Sequence, residues 1–133
     1  MTLEQQVGIW VEQAERDLEV AEFLAGESFY EQCAVSCEQS AEKLLKALWI
    51  CRKREGPPRH HRVDKLAEAL GAPVDVVDAG ASLVPDYIAA RYPDAGLVTP
   101  FRRYAAEDAK SRLAYARLIR EWVLARLGEE GWK

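Results

Sequence analysis

Apolar and small residues recur every three or four positions through residues 29–54, the spacing of a single buried stripe on an α-helix. The stripe consists of Tyr30, Cys33, Ala34, Cys37, Ala41, Leu44, Leu45, Leu48 and Cys51. Ser28 and Glu31 predict a capping box at its start, and a Gly-Pro-Pro sequence soon after it forbids continuation. We therefore expect a helix of about 40 Å at the centre of the fold.

The same periodicity predicts a long helix on each side of this segment. The first is expected over residues 3–25, and the short turn 26–28 should fold it back antiparallel against the central helix. The last is expected over residues 104–127, and the tail after it contains Trp132. We expect this tryptophan to be either exposed or packed on a second copy of the chain.

The middle of the chain predicts shorter elements. Residues 63–70 carry the apolar face of a three-turn helix. Residues 74–90 predict a short helical turn, an interruption at Gly80 and a helix that begins near Pro85. Residues 91–100 contain two prolines and a glycine, which predict a loop.

Composition favours one all-α domain that spans residues 1–133. Good helix formers dominate, Val and Ile are scattered singly, and 49% of the residues are hydrophobic. We expect an antiparallel four- to five-helix up-and-down bundle. No apolar run approaches the roughly 20 residues of a membrane span, and the N-terminus lacks the pattern of a signal peptide. These features predict a cytoplasmic protein without a membrane contact.

The net charge of −4 conceals an asymmetry along the chain. Residues 1–45 hold ten acids and two bases, a balance of −8, whereas residues 46–65 hold seven bases and two acids, a balance of +5. A basic segment in an acidic protein predicts an anion-binding surface. Its members are expected to be Arg52, Arg54, Arg59, His61 and Arg62.

Two further sets of charged residues each leave two interpretations open. Glu42 and Lys46 lie four apart, which predicts a surface ion pair. Alternatively, Lys43, Lys46 and Arg52 form a row of cations that binds phosphate oxygens. His61 and Arg91 each lie next to a predicted helix end. Each has either a structural role there or a place in an anion site.

No motif of an established catalytic type is present. The chain has no Gly-rich phosphate loop, no GxSxG nucleophile and no supported pair of catalytic carboxylates. Its three cysteines are an odd number without paired spacing and are interpreted as reduced core residues. We predict no metal and no cofactor, and no enzymatic activity of the chain by itself.

Several short motifs, in this order and spacing, resemble the HEPN domain family over nearly the whole chain. They are Trp10, Ala14, Asp17, Leu18 and Ala21 in the first helix, Gln39, Glu42, Lys43, Lys46 and Ala47 in the central helix, the helix start at residues 61–66, and Arg91-Tyr92-Pro93. The resemblance implies an antiparallel helical bundle, usually a homodimer, that is associated with nucleotide or RNA binding. Many small members are encoded beside a minimal nucleotidyltransferase and act as its substrate-binding partner or as a toxin–antitoxin component.

The resemblance also bears on ribonuclease activity. Family members that cleave RNA carry an arginine followed after four to six residues by a histidine, and here Arg91 has no histidine after it. Arg54 has this spacing to His60 and His61, but at a different place in the fold. The first hypothesis is a phosphate-binding module that partners a nucleotidyltransferase. The alternative is a metal-independent ribonuclease toxin with Arg91 and His61 as catalytic candidates.

Overall fold

The computed structural model describes residues 1–132, and every regular element in that range is helical. Three helices of 24 residues form most of the bundle, and α3 and α4 are its shorter members. The helices are α1 (Leu3–Gly26), α2 (Tyr30–Lys53), α3 (Val63–Ala69), α4 (Val74–Leu83), α5 (Asp86–Ala89), α6 (Pro100–Arg103) and α7 (Ala106–Glu129). The predicted all-α bundle is confirmed.

α1 and α2 form the predicted antiparallel hairpin. α1 begins at a capping box in which the Gln5 amide donates to Thr2 Oγ1 at 3.0 Å and the Thr2 amide donates to Gln5 Oε1 at 2.8 Å. The capping box expected for α2 is wrong, because Ser28 takes a left-handed φ of 66° in the turn and caps nothing. Phe29 precedes α2 instead, without a side-chain cap.

α2 is the central helix, as the sequence predicts. It packs between α1, α7 and α3, and its apolar stripe is buried within a single chain from Cys33 to Leu48, while Tyr30 and Cys51 at the ends are partly buried. Small side chains let α1 approach closely, so that Ser40 Oγ donates to the Ala14 carbonyl at 2.8 Å. The helix ends where Arg54 adopts a left-handed φ of 58°.

The segment after α3 departs from the prediction. α4 continues through Gly80, which was expected to interrupt it. The residue is glycine because α3 crosses there: a Cβ atom at Gly80 would lie 3.1 Å from the Asp64 amide nitrogen. The helix expected to begin near Pro85 is short, and α5 spans only Asp86–Ala89.

The predicted loop over residues 91–100 contains only a 3-10 turn at Pro93–Ala95 before α6 begins at Pro100. α6 was not predicted. α7 begins two residues later than expected, where Asp108 accepts a hydrogen bond from the Ala105 amide at 2.7 Å. Trp132 is partly buried against the core of its own chain, so the expectation that it is exposed is wrong, whereas its packing on a second copy stays a prediction.

Within residues 1–132, no helix is both long and apolar enough to cross a membrane.

Candidate functional site

Three ionisable side chains lie buried on one face of α2. Glu38, Glu42 and Lys46 follow one another at four-residue intervals and are 0%, 5% and 5% exposed. Removing a charged group from water is expensive unless a partner compensates it. This row of side chains in the middle of the bundle therefore marks the candidate site.

Glu42 is the hub of the row. Its carboxylate accepts from Lys46 Nζ at 3.1 Å and lies 3.0 Å from His61 Nδ1. The surface ion pair expected for Glu42 and Lys46 is wrong, because the pair is buried. A carboxylate at Nδ1 favours the imidazole tautomer that carries a proton there. Nε2 of His61 is then left for another partner, and the side chain is 45% exposed.

The half-buried ring of Tyr87 joins His61 to Arg91. The imidazole of His61 stacks on this ring with 4.3 Å between centroids and 14° between planes. The guanidinium carbon of Arg91 lies 4.5 Å from the same ring centroid. The two catalytic candidates, thirty residues apart in sequence, thus meet on one side chain.

Glu38 lies beneath Arg91. Its Oε1 accepts from Gln39 Nε2 at 2.7 Å and lies 3.7 Å from Arg91 Nη2. Burial raises the pKa of Glu38 to about 8, with the Gln39 hydrogen bond opposing and nearby Glu42 adding to the shift. At neutral pH Glu38 is therefore mostly uncharged. The two positive charges of Arg91 and Lys46 then outnumber the one negative charge of Glu42. The cluster therefore has a net positive charge, which suits an anion.

Two buried polar atoms in the cluster have no hydrogen-bond partner among residues 1–132. They are Nε of Arg91 and Oε2 of Glu38. Buried donors and acceptors are nearly always paired, and each exception needs an explanation. Nε of Arg91 is itself out of reach of solvent, but the side chain is 28% exposed, so the accessible part of its guanidinium is suited to a bound anion.

A second buried network positions α5. Asp86 is 1% exposed and accepts from the Tyr104 hydroxyl at 2.6 Å and from Arg112 Nε at 2.8 Å. These bonds attach α5 to α7 and to the residue that follows α6. Because Asp86 directly precedes Tyr87 in the chain, these bonds, the Asp86 clamp, also hold the Tyr87 ring in place against His61 and Arg91.

The remaining predicted phosphate ligands lie outside the cluster. Lys43 Nζ donates to Asp17 Oδ2 at 2.5 Å across the α1–α2 hairpin. Arg52 donates from Nη1 to the Leu70 carbonyl at 2.8 Å and from Nε to Glu130 at 3.3 Å. Both side chains therefore hold elements of the bundle together.

The rest of the basic segment lies on the surface. Arg62 makes a two-bond pair with Asp64, at 2.8 and 3.0 Å, and Arg54 lies 3.8 Å from Glu4. Arg59 is exposed. Of the basic segment, residues 46–65, the structure therefore brings only Lys46 and His61 into the cluster. The arginines of the segment lie outside it.

Sequence reasoning missed Glu38 and Tyr87. Both had a signal in the spacing, since Glu38 lies four residues before Glu42 and Tyr87 lies four residues before Arg91. Glu38 also adjoins the apolar stripe at Cys37, which places it toward the core. An acidic residue on that side of a helix indicates a buried charge.

Comparison with known proteins agrees with this architecture. A family model for the HEPN domain matches residues 7–128. A crystallised protein from Thermus thermophilus is 30% identical, with a TM-score of 0.84 over 92% of this chain and 98% of that chain. An archaeal HEPN homologue is 31% identical, with a TM-score of 0.79 over 91% and 97%. A HEPN domain protein from Thermotoga maritima, at 24% identity and a TM-score of 0.70 over 90% and 97%, shares the fold. A search of curated proteins found no match.

Proposed function

Because the chain belongs to the HEPN domain family, we propose that it binds a nucleotide or nucleic acid and holds a phosphate group at Arg91 and His61. One observation carries this proposal: both side chains lie against the ring of Tyr87, and the Arg91 side chain is 28% exposed there. The largely neutral state of Glu38 at pH 7 leaves the charge of Arg91 available to a ligand.

The chemistry of the two groups fits a phosphate. A guanidinium offers donors in a fixed fork that matches two phosphate oxygens. The imidazole adds a donor or acceptor at Nε2, since Glu42 occupies its other nitrogen. Because the stacking on Tyr87 and the contact with Glu42 fix both groups before the ligand arrives, little side-chain entropy is lost on binding.

Calorimetric titration with ribose 5-phosphate and with a short single-stranded RNA tests this assignment. We expect Arg91→Ala to weaken both affinities about tenfold or more, since it removes charge-assisted hydrogen bonds. Arg16→Ala is the matched control, because Arg16 is an exposed cation on α1 that pairs with Glu19. Unchanged affinity in Arg91→Ala and His61→Ala would refute the site.

A longer nucleic acid would also reach the exposed arginines of the basic segment, Arg54, Arg59 and Arg62. Each phosphate that they neutralise releases counterions, so the affinity for RNA should fall steeply with salt. A double variant, Arg54→Ala with Arg62→Ala, should flatten this salt dependence. If RNA binding is unchanged in that variant, the segment is only a solvated surface.

The partner we propose is a minimal nucleotidyltransferase. Support comes from the family, whose model matches residues 7–128, since the resemblance implies a small member of the kind encoded beside such an enzyme. Co-expression with the product of an adjacent nucleotidyltransferase gene and co-purification test the pairing. If the two proteins are co-expressed and elute separately, the proposed partnership fails.

A second candidate function, metal-independent cleavage of RNA, is favoured by the contact between His61 and Glu42. In such a reaction His61 Nε2 accepts the proton of a ribose 2′-hydroxyl, whose oxygen attacks the phosphorus and expels the 5′-oxygen, which takes a proton from water. Arg91 stabilises the charge on the phosphate. The products are a 2′,3′-cyclic phosphate and a 5′-hydroxyl.

We favour binding over cleavage because the cluster offers a single imidazole. Glu38 is protonated at neutral pH but fully buried, so it cannot reach a leaving group, and His60 Nδ1 accepts from the Arg62 amide instead. The purified protein should therefore not cleave RNA appreciably. Turnover in a sensitive cleavage assay that both His61→Ala and Arg91→Ala abolish would make the chain a ribonuclease.

A further inference from the structure

We propose that the groove beside Arg91 is a subsite for the base of a nucleotide whose phosphate lies at Arg91 and His61. This inference rests on the proposed function and assigns the other half of the ligand. The groove lies between α1, α2 and the segment from α5 to α6, is open to solvent and has a volume of about 610 Å³. Arg91 forms one of its walls, so a ligand held there continues directly into it.

The size and direction of the groove fit one nucleoside. Its α2 wall contains Glu31, Gln32, Val35 and Ser36, whereas Arg91 approaches α2 near Glu38. Gln32 lies six positions before Glu38 on the helix, a distance of roughly 9 Å along the axis. The groove therefore extends away from the phosphate position by about the length of a sugar with its base.

The far wall is apolar and includes an exposed aromatic ring. Pro93, Pro100 and Phe101 line it, and Phe101 is 62% exposed. The guanidinium carbon of Arg102 lies 5.4 Å from the Phe101 ring centroid. Aromatic rings and arginine planes are the surfaces on which unpaired bases stack, and each stacked base contributes about 1–3 kcal/mol.

Polar groups line the opposite wall, where the edge of a base would lie. The side chains of Gln32 and Ser36 lie on this wall. An amide and a hydroxyl can each donate to and accept from a base edge. Glu31 adds an acceptor suited to an exocyclic amino group.

The charges of the groove orient a nucleotide within it. Its two charged residues are of opposite sign, with Arg91 at the phosphate position and Glu31 on α2 seven residues before Glu38. A carboxylate there repels a second phosphate and leaves that end to an uncharged base. The ligand therefore has a single orientation.

Comparison of two ligands tests the subsite, because adenosine 5′-monophosphate and ribose 5-phosphate differ only in the base. We expect calorimetry to show at least about tenfold tighter binding of the nucleotide. Phe101→Ala should remove most of this advantage and leave the affinity for ribose 5-phosphate unchanged. Phe23→Ala is the matched control, since Phe23 is 67% exposed and lies outside the groove.

Four outcomes separate the possibilities. If both ligands bind equally and both depend on Arg91, the base subsite is refuted and the phosphate site stands. If neither ligand binds, the proposed function itself fails, and the subsite fails with it. If the wild type shows no preference for the nucleotide and Phe101→Ala abolishes self-association, the groove holds a second copy instead. A nucleotide preference lost in Phe101→Ala and retained in Phe23→Ala establishes the subsite.

Discussion

At the scale of single residues, the row of buried ionisable side chains on α2 is the feature that most distinguishes this bundle from a purely structural one. Glu38, Glu42 and Lys46 occupy positions where apolar side chains would fill the core at lower cost. Their partners come from elsewhere in the chain: His61 for Glu42 and Arg91 for Glu38. Such an arrangement stabilises little by itself and sets the electrostatics of the site instead.

Replacing Lys46 by methionine should lower the free energy of unfolding by about 3 kcal/mol, since the buried Glu42 carboxylate would keep only His61 as a partner among residues 1–132. Lys65→Met is the matched control, because Lys65 pairs with Glu68 at 3.7 Å on an exposed surface. That change should stay within about 0.5 kcal/mol. Urea denaturation measures both, and equal losses would contradict the buried pairing.

Glu38 predicts a pH dependence of stability. Its pKa rises from 4.5 to about 8 on folding, so between these values the native state binds more protons than the unfolded state. Its contribution to stability is therefore fully present below about pH 4.5 and is lost as the pH rises toward 8. In Glu38→Gln the free energy of unfolding should decline less over this range, by at least about 1 kcal/mol. Parallel pH profiles for the two proteins would show that Glu38 titrates normally.

At the scale of elements, the short helices decide where the site lies. His61 lies just before α3 and reaches the side of α2, while Tyr87 in α5 and Arg91 just after α5 lie at the same place. Both placements depend on close packing between α3 and α4 at Gly80 and on the Asp86 clamp. The elements with the weakest sequence patterns thus position the functional side chains.

Two glycine-to-alanine changes in helices should have opposite effects. At Gly80 an added Cβ would lie 3.1–3.2 Å from backbone atoms of Val63 and Asp64, so α3 and α4 must separate, at about 1–3 kcal/mol. At Gly8 in α1 nothing lies within 4 Å, and alanine should stabilise the helix by about 0.5–1 kcal/mol. Thermal unfolding compares them. A Gly80→Ala variant as stable as the wild type would show that the crossing is loose.

At the scale of the whole molecule, the features that favour a dimer differ from those expected. The apolar length of the central helix predicted a second copy, but α2 is covered within a single chain. What now favours association is a set of exposed apolar side chains after α4. They are Ile88, Tyr92, Leu97 and Val98, which are between 46% and 106% exposed.

We expect light scattering to give the mass of a homodimer, and Leu97→Ser with Val98→Ser to shift it to that of a monomer. The reason is that a second copy packed against this segment would bury these exposed apolar side chains. Val74→Ser is the control, since Val74 is 76% exposed on α4, away from this segment. A monomer mass that does not change with concentration would refute the dimer and leave the fold untouched.

The sequence by itself determined the three long helices, the hairpin and the all-α class, because each depends on periodicity and on breakers close in the chain. It also pointed to His61 and Arg91 through their motifs. The burial of the Glu42–Lys46 pair could not be predicted from the neighbouring sequence, because the side chains that cover the pair belong to elements distant in the chain. Gly80 likewise looked like an interruption, because the need for glycine there comes from contact with the start of α3.

Only the tertiary structure decided that His61 and Arg91 contact the same ring. That ring belongs to Tyr87, whose place is set by Asp86 bonding to Tyr104 and Arg112, up to 26 residues away. The fold also keeps arginines of the basic segment out of the cluster. Arg52 donates to the Leu70 carbonyl and Arg62 to Asp64, so these side chains are held elsewhere. Charge along the sequence measures how many cations a segment has, whereas packing determines which of them remain free to bind.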